Sequence, residues 1–198
     1  LTGFQAAKYP LVGNMDADLA VHPREFETLL PFVNESGIAQ GSRAIGKEKG
    51  RVIKSLVRRI ISGCMRIFFE ILFKDQVEDP QIGFRLFHKE SVLKITPLLR
   101  LWHDGLKHGE IIIRAYGIGM TITEINVPYV HDEDSRCVPK GLIKAGFISV
   151  EAFAALITLW VQCSMDYNTG ILKHQTTRGA FLLWPFSLFS GKIRKKNN

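Results

Sequence analysis

Apolar and polar positions change their spacing several times along the chain, and each change marks an element. Leu1 to Lys8 reads as a helix that Pro10 ends. Leu11 to Met15 is a short apolar run, hence a strand candidate, and it stops abruptly at Asp16. Val21 to Leu30 takes helical spacing: Pro23 suits a first turn, and Phe26, Leu29 and Leu30 form a stripe. Ile38-Ala39-Gln40 is a second strand candidate, running into the turn Gly41-Ser42-Arg43. Arg51 to Phe73 is a long helical pattern carrying Arg51, Lys54, Arg58, Arg59 and Arg66 among its apolar members. Asp79-Pro80 marks a turn, Gly83 to Phe87 a strand, and Lys89 to Leu99 a short helix ending near Pro97. Lys107 to Ala115 sets Glu110 and Arg114 at i and i+4 in the favourable helical orientation, before Gly117 and Gly119 stop it. Met120 to Tyr129 alternates as a strand closed by Pro128.

From Gly141 the texture changes. Leu142 to Met165 is strongly apolar but interrupted by Lys144, Glu151 and Gln162, which argue against a simple span although the length nearly suffices. Whether it crosses a bilayer or lies on one stays open. Ala180 to Phe189 is aromatic-rich, contains Pro185, and leads into Lys192, Arg194, Lys195 and Lys196. Such a segment with a basic end suits membrane-interface attachment, or else packs on the domain as a hydrophobic tail. The basic pattern of Arg51 to Phe73 likewise fits either a membrane surface or a core helix with a solvated face.

Charge narrows the partners. The chain of 198 residues has 26 basic against 19 acidic side chains, a net charge of +7. That points to anionic partners: phosphates, nucleic acid or a membrane surface. Nucleic acid is disfavoured, because the aromatics lie in apolar segments and not among the basic residues. Cys64, Cys137 and Cys163 are far apart, have no metal-ligand spacing, and read as reduced thiols in a cytosolic setting.

The stretch with the most chemistry is Leu11-Val-Gly-Asn-Met-Asp-Ala-Asp-Leu19, where an apolar run ends in two carboxylates one residue apart. Ligands bind at the carboxyl ends of strands in open α/β sheets. Two acidic oxygens there suit a hard divalent cation that also holds substrate phosphates. The same pair also fits a solvated turn or a cap for the next helix.

Further motifs follow in one order: Gly41-Ser-Arg43, Arg58-Arg-Ile-Ile-Ser62, Asp79-Pro-Gln-Ile-Gly-Phe-Arg-Leu-Phe87, Gly109-Glu110 and Glu124-Ile-Asn-Val-Pro128. With Met15-Asp-Ala-Asp-Leu19 at their head, they resemble the family-two glycosyltransferases of the GT-A fold, in particular the dolichyl-phosphate (polyprenyl-phosphate) mannosyl- and glucosyltransferases. The resemblance covers about residues 1–140. It implies an α/β architecture, the carboxy-terminal part of a GT-A, Rossmann-like mixed sheet flanked by helices, with residues 141–198 as a membrane-associated helical tail. It also implies a hexosyltransferase acting at the cytosolic membrane face, from a GDP- or UDP-sugar onto a polyprenyl phosphate, with Mg2+ or Mn2+.

The residue roles follow from the same resemblance. Asp16 and Asp18 would hold the metal on the donor diphosphate. Arg43, Arg58 and Ser62 would meet the acceptor phosphate, with His131, Ser135 and Arg136 matching a weaker basic motif after the last strand. Asp79, Gln81 and Gly83 match a segment that lines the active site and Glu110 an acidic position on the helix behind it, which makes Asp79, Gln81 and Glu110 the catalytic candidates. The chain departs from the pattern in places. Ala20 stands where a metal-assisting Gln is common, so ligation would lean on water or on Asp79 and Gln81. His108 replaces an Asp two residues before Glu110. The family's amino-terminal strands and nucleotide-base pocket have no counterpart after Leu1, so the resemblance implies a fragment of a larger protein or a chain whose missing part is supplied elsewhere. Two other functions fit less of the chain: a glycosyltransferase with a neutral hydroxyl acceptor, and a non-catalytic membrane-binding module.

Overall fold

The computed structural model describes residues 2–35, 37–43, 63–64, 67–74, 77–100, 106–129 and 142–178. They form an α/β molecule built on a four-stranded mixed sheet. The elements are α1 (Thr2–Ala6), β1 (Leu11–Asn14), α2 (Phe26–Leu29), β2 (Gly37–Ser42), β3 (Arg85–His88), α3 (Lys89–Ile95), α4 (Lys107–Gly117), β4 (Thr121–Asn126) and α5 (Leu142–Asn168). A further helical piece lies at 67–72. Strand order is β1-β3-β2-β4; β3 runs antiparallel to both β1 and β2, and β4 runs parallel to β2.

The period of two along the strands sends alternate side chains to opposite faces. Ile38 and Phe87, which are paired in register, join Val92, Ile95, Ile111, Ile112, Ala115 and Met120 in one core layer under α3 and α4. Their neighbours Ala39 and Leu86 face the other way, into a layer with Val21, Leu29, Ile82, Phe84 and Val127. Covered on both faces, β2 is buried throughout its length. The strand β1 is an edge strand with only Val12 buried, and it ends one residue before the Met15 of the sequence reading.

The helical stripe expected over Val21 to Leu30 is broken into a tight turn at Pro23–Glu25, α2, and a second tight turn at Leu30–Phe32. Pro31 lacks an N–H and cannot continue an α-helical ladder. As a result Leu29 is buried while Leu30 faces solvent.

The helix α4 runs two residues beyond Ala115 and closes as a Schellman motif. Gly119 N donates to Tyr116 O at 2.9 Å and Met120 N to Ala115 O at 3.0 Å, with Gly119 at φ +89°. A third core layer joins α4 to α5: Ala155, Leu156, Leu159 and Cys163, one stripe of α5, pack with Ile113, Leu106, Phe69, Phe73 and Leu172. A buried ionic cluster reinforces this joint. Arg114 of α4 meets Asp166 of α5, which also pairs with Arg100 at 3.1 Å. The segment after α5 turns back, and Lys74 N donates to Thr176 O at 2.8 Å beside a Phe73–Thr177 bridge.

The opposite side of this joint leaves Ile67, Phe68, Ile71, Val150, Phe153 and Ile157 exposed, with Phe68 and Phe153 edge-to-face at 4.7 Å. Among the described residues, no helix is long and apolar enough to cross a membrane. Most of the expected basic helix Arg51 to Phe73, and the aromatic segment from Ala180 to Phe189, lie outside the described residues.

Candidate functional site

The chain leaves the sheet edge through the turn 16–19. Asn14 Nδ2 donates to Gly83 O at 2.9 Å, which ties the end of β1 to the loop preceding β3. Leu19 N donates to Asp16 O at 3.3 Å and Asp18 Oδ1 accepts from Ala20 N at 3.1 Å. Leu19 closes the turn in the left-handed region, at φ 57°, a conformation that non-glycine residues adopt at some cost. Neither aspartate caps the helical turn that follows; His22 does, accepting from Arg24 N through Nδ1. Both carboxylates are exposed.

The Asp16 carboxylate lies directly on Gly83. A Cβ at that position would fall 2.0 Å from Asp16 Oδ1 and 2.5 Å from Oδ2, so a side chain and this carboxylate cannot coexist there. His108 Nε2 approaches Asp16 Oδ1 at 3.4 Å. The His108 hydrogen bond holds the Asp16 carboxyl below its ordinary range against partial burial, helped by the charge of His108, the Gly83 backbone and Arg43. The Asp16 carboxylate thus offers ionised oxygens, the donor type a hard divalent cation takes. Among the described residues no third acidic, His or Cys side chain completes a metal-binding cluster with them. An ion held by this pair would have to draw its remaining ligands from outside the described side chains.

Asp79 is committed to Arg43. Its Oδ2 accepts from the Arg43 backbone N at 3.0 Å and from Nε at 2.6 Å, and its Oδ1 accepts from Nη2 at 2.6 Å. This bidentate pairing raises the Arg43 pKa still further. It occupies two of the five guanidinium N–H groups, and the guanidinium also lies 5.1 Å from the centre of the Tyr129 ring. Glu124 of β4 fixes the Asp79 loop from the other side, accepting from Glu78 N at 2.7 Å and Asp79 N at 3.0 Å. Gln40 of β2 joins both, donating Nε2 to Asp79 O at 3.2 Å and to Glu124 Oε1 at 3.1 Å. Gln81 turns toward α4, where its Nε2 would lie 2.7 Å from a Cβ on Gly109. Its buried Oε1 has no hydrogen-bond partner among the described residues.

Glu110 is buried within the ionic cluster, accepting at Oε1 from Arg100 N at 2.9 Å and from Arg114 Nε at 3.4 Å. The residue of α4 that reaches Asp16 is His108. Sequence reasoning placed Gly83 in a segment lining the active site, named His108 only as a departure from an aspartate, and did not count Arg85, Gln40, Glu124 or Tyr129 among the site residues. Gly83, Arg85 and Glu124 lie inside the motifs quoted for the resemblance, which was the available signal. Arg58, Ser62, His131, Ser135 and Arg136 lie outside the described residues.

No protein-family model matches the chain. Two curated proteins are similar to it. A dolichyl-phosphate beta-glucosyltransferase of Trichomonas vaginalis is 28% identical over 146 residues, which are 70% of this chain and 44% of that protein. A dolichyl-phosphate beta-glucosyltransferase of Dictyostelium discoideum is 29% identical over 140 residues, 67% of this chain and 41% of that protein. The chain therefore matches less than half the length of each relative. Over about 70% of its own length this chain resembles a dolichyl-phosphate beta-glucosyltransferase.

Proposed function

We propose that the protein containing this chain transfers a hexose, glucose on the pattern of its relatives, from a nucleotide sugar to a polyprenyl phosphate at a membrane surface, in the manner of a GT-A enzyme. The observation that carries the reading is the similarity to two dolichyl-phosphate beta-glucosyltransferases over about two thirds or more of the chain. The reaction is an inverting displacement: an acceptor phosphate oxygen forms the new bond to the anomeric carbon as the bond to the nucleoside diphosphate breaks. An ionised phosphate needs no strong general base, so the protein's tasks are positioning and charge stabilisation.

Asp16 and Asp18 would hold Mg2+ or Mn2+, which when bound neutralises charge on the leaving diphosphate. Gly83 and His108 set the direction of the Asp16 carboxylate. Arg43, braced by Asp79 and lying against Tyr129, would bring its guanidinium to a phosphate, and Arg58 and Ser62 would complete that acceptor subsite. The exposed apolar patch around Phe68 and Phe153 supports contact with a lipid surface. The cytosolic membrane face follows from the family resemblance.

The test uses the full-length protein, radiolabelled UDP-glucose or GDP-mannose, and dolichyl phosphate. Sugar should pass into an acid-labile, organic-extractable lipid, and Asp18→Ala or Arg58→Ala should nearly abolish transfer. Wild-type turnover by either variant, or label appearing only on a neutral acceptor, would overturn the reading.

A further inference from the structure

Arg85 is fully buried, yet among the described residues none of its hydrogen bonds goes to a carboxylate. Its Nε donates to Gln40 Oε1 at 2.9 Å, its Nη2 donates to the Pro80 carbonyl at 2.8 Å, and its Nη1 lies 3.3 Å from His108 Nδ1. A guanidinium charge on neutral acceptors alone is an expensive arrangement in a protein interior. Burial pulls the Arg85 pKa down to about 9, against the more distant charges of Asp79, Asp16 and Glu124. The placement is also rigid. Gln40 spends its amide N–H groups on Asp79 O and Glu124 Oε1, so its Oε1 is the atom presented to Arg85.

A guanidinium carries donors and no acceptor. A proton on His108 Nδ1 would point at the Arg85 N–H, donor against donor. The ring therefore offers its Nδ1 lone pair to Arg85 and carries its proton on Nε2, which faces Asp16 Oδ1 at 3.4 Å. On its other side the same carboxylate rests on Gly83.

We propose that Arg85 is a positioning residue of the Asp16 site: it fixes His108 in the tautomer protonated at Nε2, and His108 thereby holds the Asp16 carboxylate in one orientation. This assigns work to two residues of the Gly-Phe-Arg and His-Gly-Glu stretches, and it replaces a carboxylate at position 108 with a ring that donates. Only the activity arm of the test rests on the function proposed above; the tautomer is a property of the chain's own residues.

The test is the ring 15N spectrum of the protein labelled at histidine, recorded without donor, acceptor or metal, with His108 assigned through His108→Gln. Wild type should show a bare Nδ1 and a protonated Nε2 at His108. Arg85→Lys, whose ammonium also only donates, should preserve that pattern, and Arg85→Met should populate the Nδ1-protonated form. In the transfer assay, Arg85→Met and His108→Ala should each lose about 10- to 100-fold in activity. His108→Gln should recover most of it, because a side-chain amide offers an acceptor to Arg85 and an N–H to Asp16. An Nδ1-protonated His108 in wild type overturns the proposal, even if Arg85→Met does not fold. A wild-type 15N pattern in folded Arg85→Met overturns it too. The expected spectra in a protein that transfers no sugar would uphold the tautomer and defeat the proposed function alone.

Discussion

Gly83→Ala separates the geometry of the Asp16 site from the stability of the fold. The added Cβ would lie 2.0 Å from Asp16 Oδ1, where side-chain contacts essentially never fall below 3.0 Å. The carboxylate must therefore retreat by roughly 1 Å or more, the difference between those two distances. Asp16 is exposed and can rotate outward, so the clash resolves by abandoning His108 and the Gly83 backbone, leaving the sheet in place. The lost hydrogen bonds cost about 0.5–1.5 kcal/mol each. Replacing glycine returns about 0.4–1 kcal/mol by narrowing the unfolded ensemble. Gly83 is not among the residues with positive φ, so alanine adds no backbone strain. The net change in unfolding free energy should stay within about 1–2 kcal/mol. Transfer activity is another matter, because a displacement of that size at a reacting centre costs on the order of 100-fold. Urea unfolding and sugar transfer into dolichyl phosphate, measured on one preparation of the full-length protein, check both halves. Wild-type transfer by a folded Gly83→Ala protein would refute the argument, because the Asp16 orientation would then be irrelevant to the chemistry.

Other predictions address the surrounding structure. Asp166→Ala leaves the fully buried Arg114 without its α5 carboxylate and should cost about 3–5 kcal/mol in chemical unfolding; a loss below about 1 kcal/mol would show that the α4–α5 cluster contributes little. Because the Asp16 pKa is lowered in the fold, its stabilisation is present above 3.8 and is lost as pH falls through the folded value. The urea-midpoint gap between wild type and Asp16→Asn should therefore shrink below that pH, and a gap that widens on acidification would reverse the assigned sign. Phe153→Glu places a charge in the exposed apolar patch and should weaken sedimentation with vesicles of phosphatidylcholine and phosphatidylserine while leaving the melt unchanged. Undiminished binding would exclude that patch as the lipid contact.

Local elements were legible in the sequence where one short-range rule decided them. The alternation of residues 83–87 and 120–129 gave β3 and β4, and Gly117 with Gly119 announced the end of α4. The helix over Val21 to Leu30 came out as short pieces, a tight turn at Pro23–Glu25, α2, and a second turn in which Pro31, lacking an N–H, cannot extend the α-helical ladder. The sheet order β1-β3-β2-β4 was not legible, since register between strands far apart in sequence depends on which faces are covered. Glu110 and Arg114 were correctly read as an i,i+4 pair. That spacing could not reveal that Asp166, 52 residues beyond Arg114, would join them in the interior.

The candidate site was legible as a set of residue types and not as a set of partners. Asp16 stood out as a charge ending an apolar run, and Asp79 and Arg43 through the family resemblance, but nothing local joins Arg43 to Asp79, 36 residues away. Once folded, the two halves are continuous through hydrogen bonds. Asp16 meets His108, His108 meets Arg85, Arg85 meets Gln40, and Gln40 meets both Glu124 and the backbone of Asp79, whose carboxylate holds Arg43. Each link has its donor and acceptor fixed by the chemistry of its neighbours, so a substitution at one position disturbs atoms several residues away. Such a network makes independent effects the exception. Substitutions at Gln40 and His108, which are joined through Arg85, should be non-additive in stability, whereas either should add simply to a substitution at Leu159 in the separate α4–α5 core.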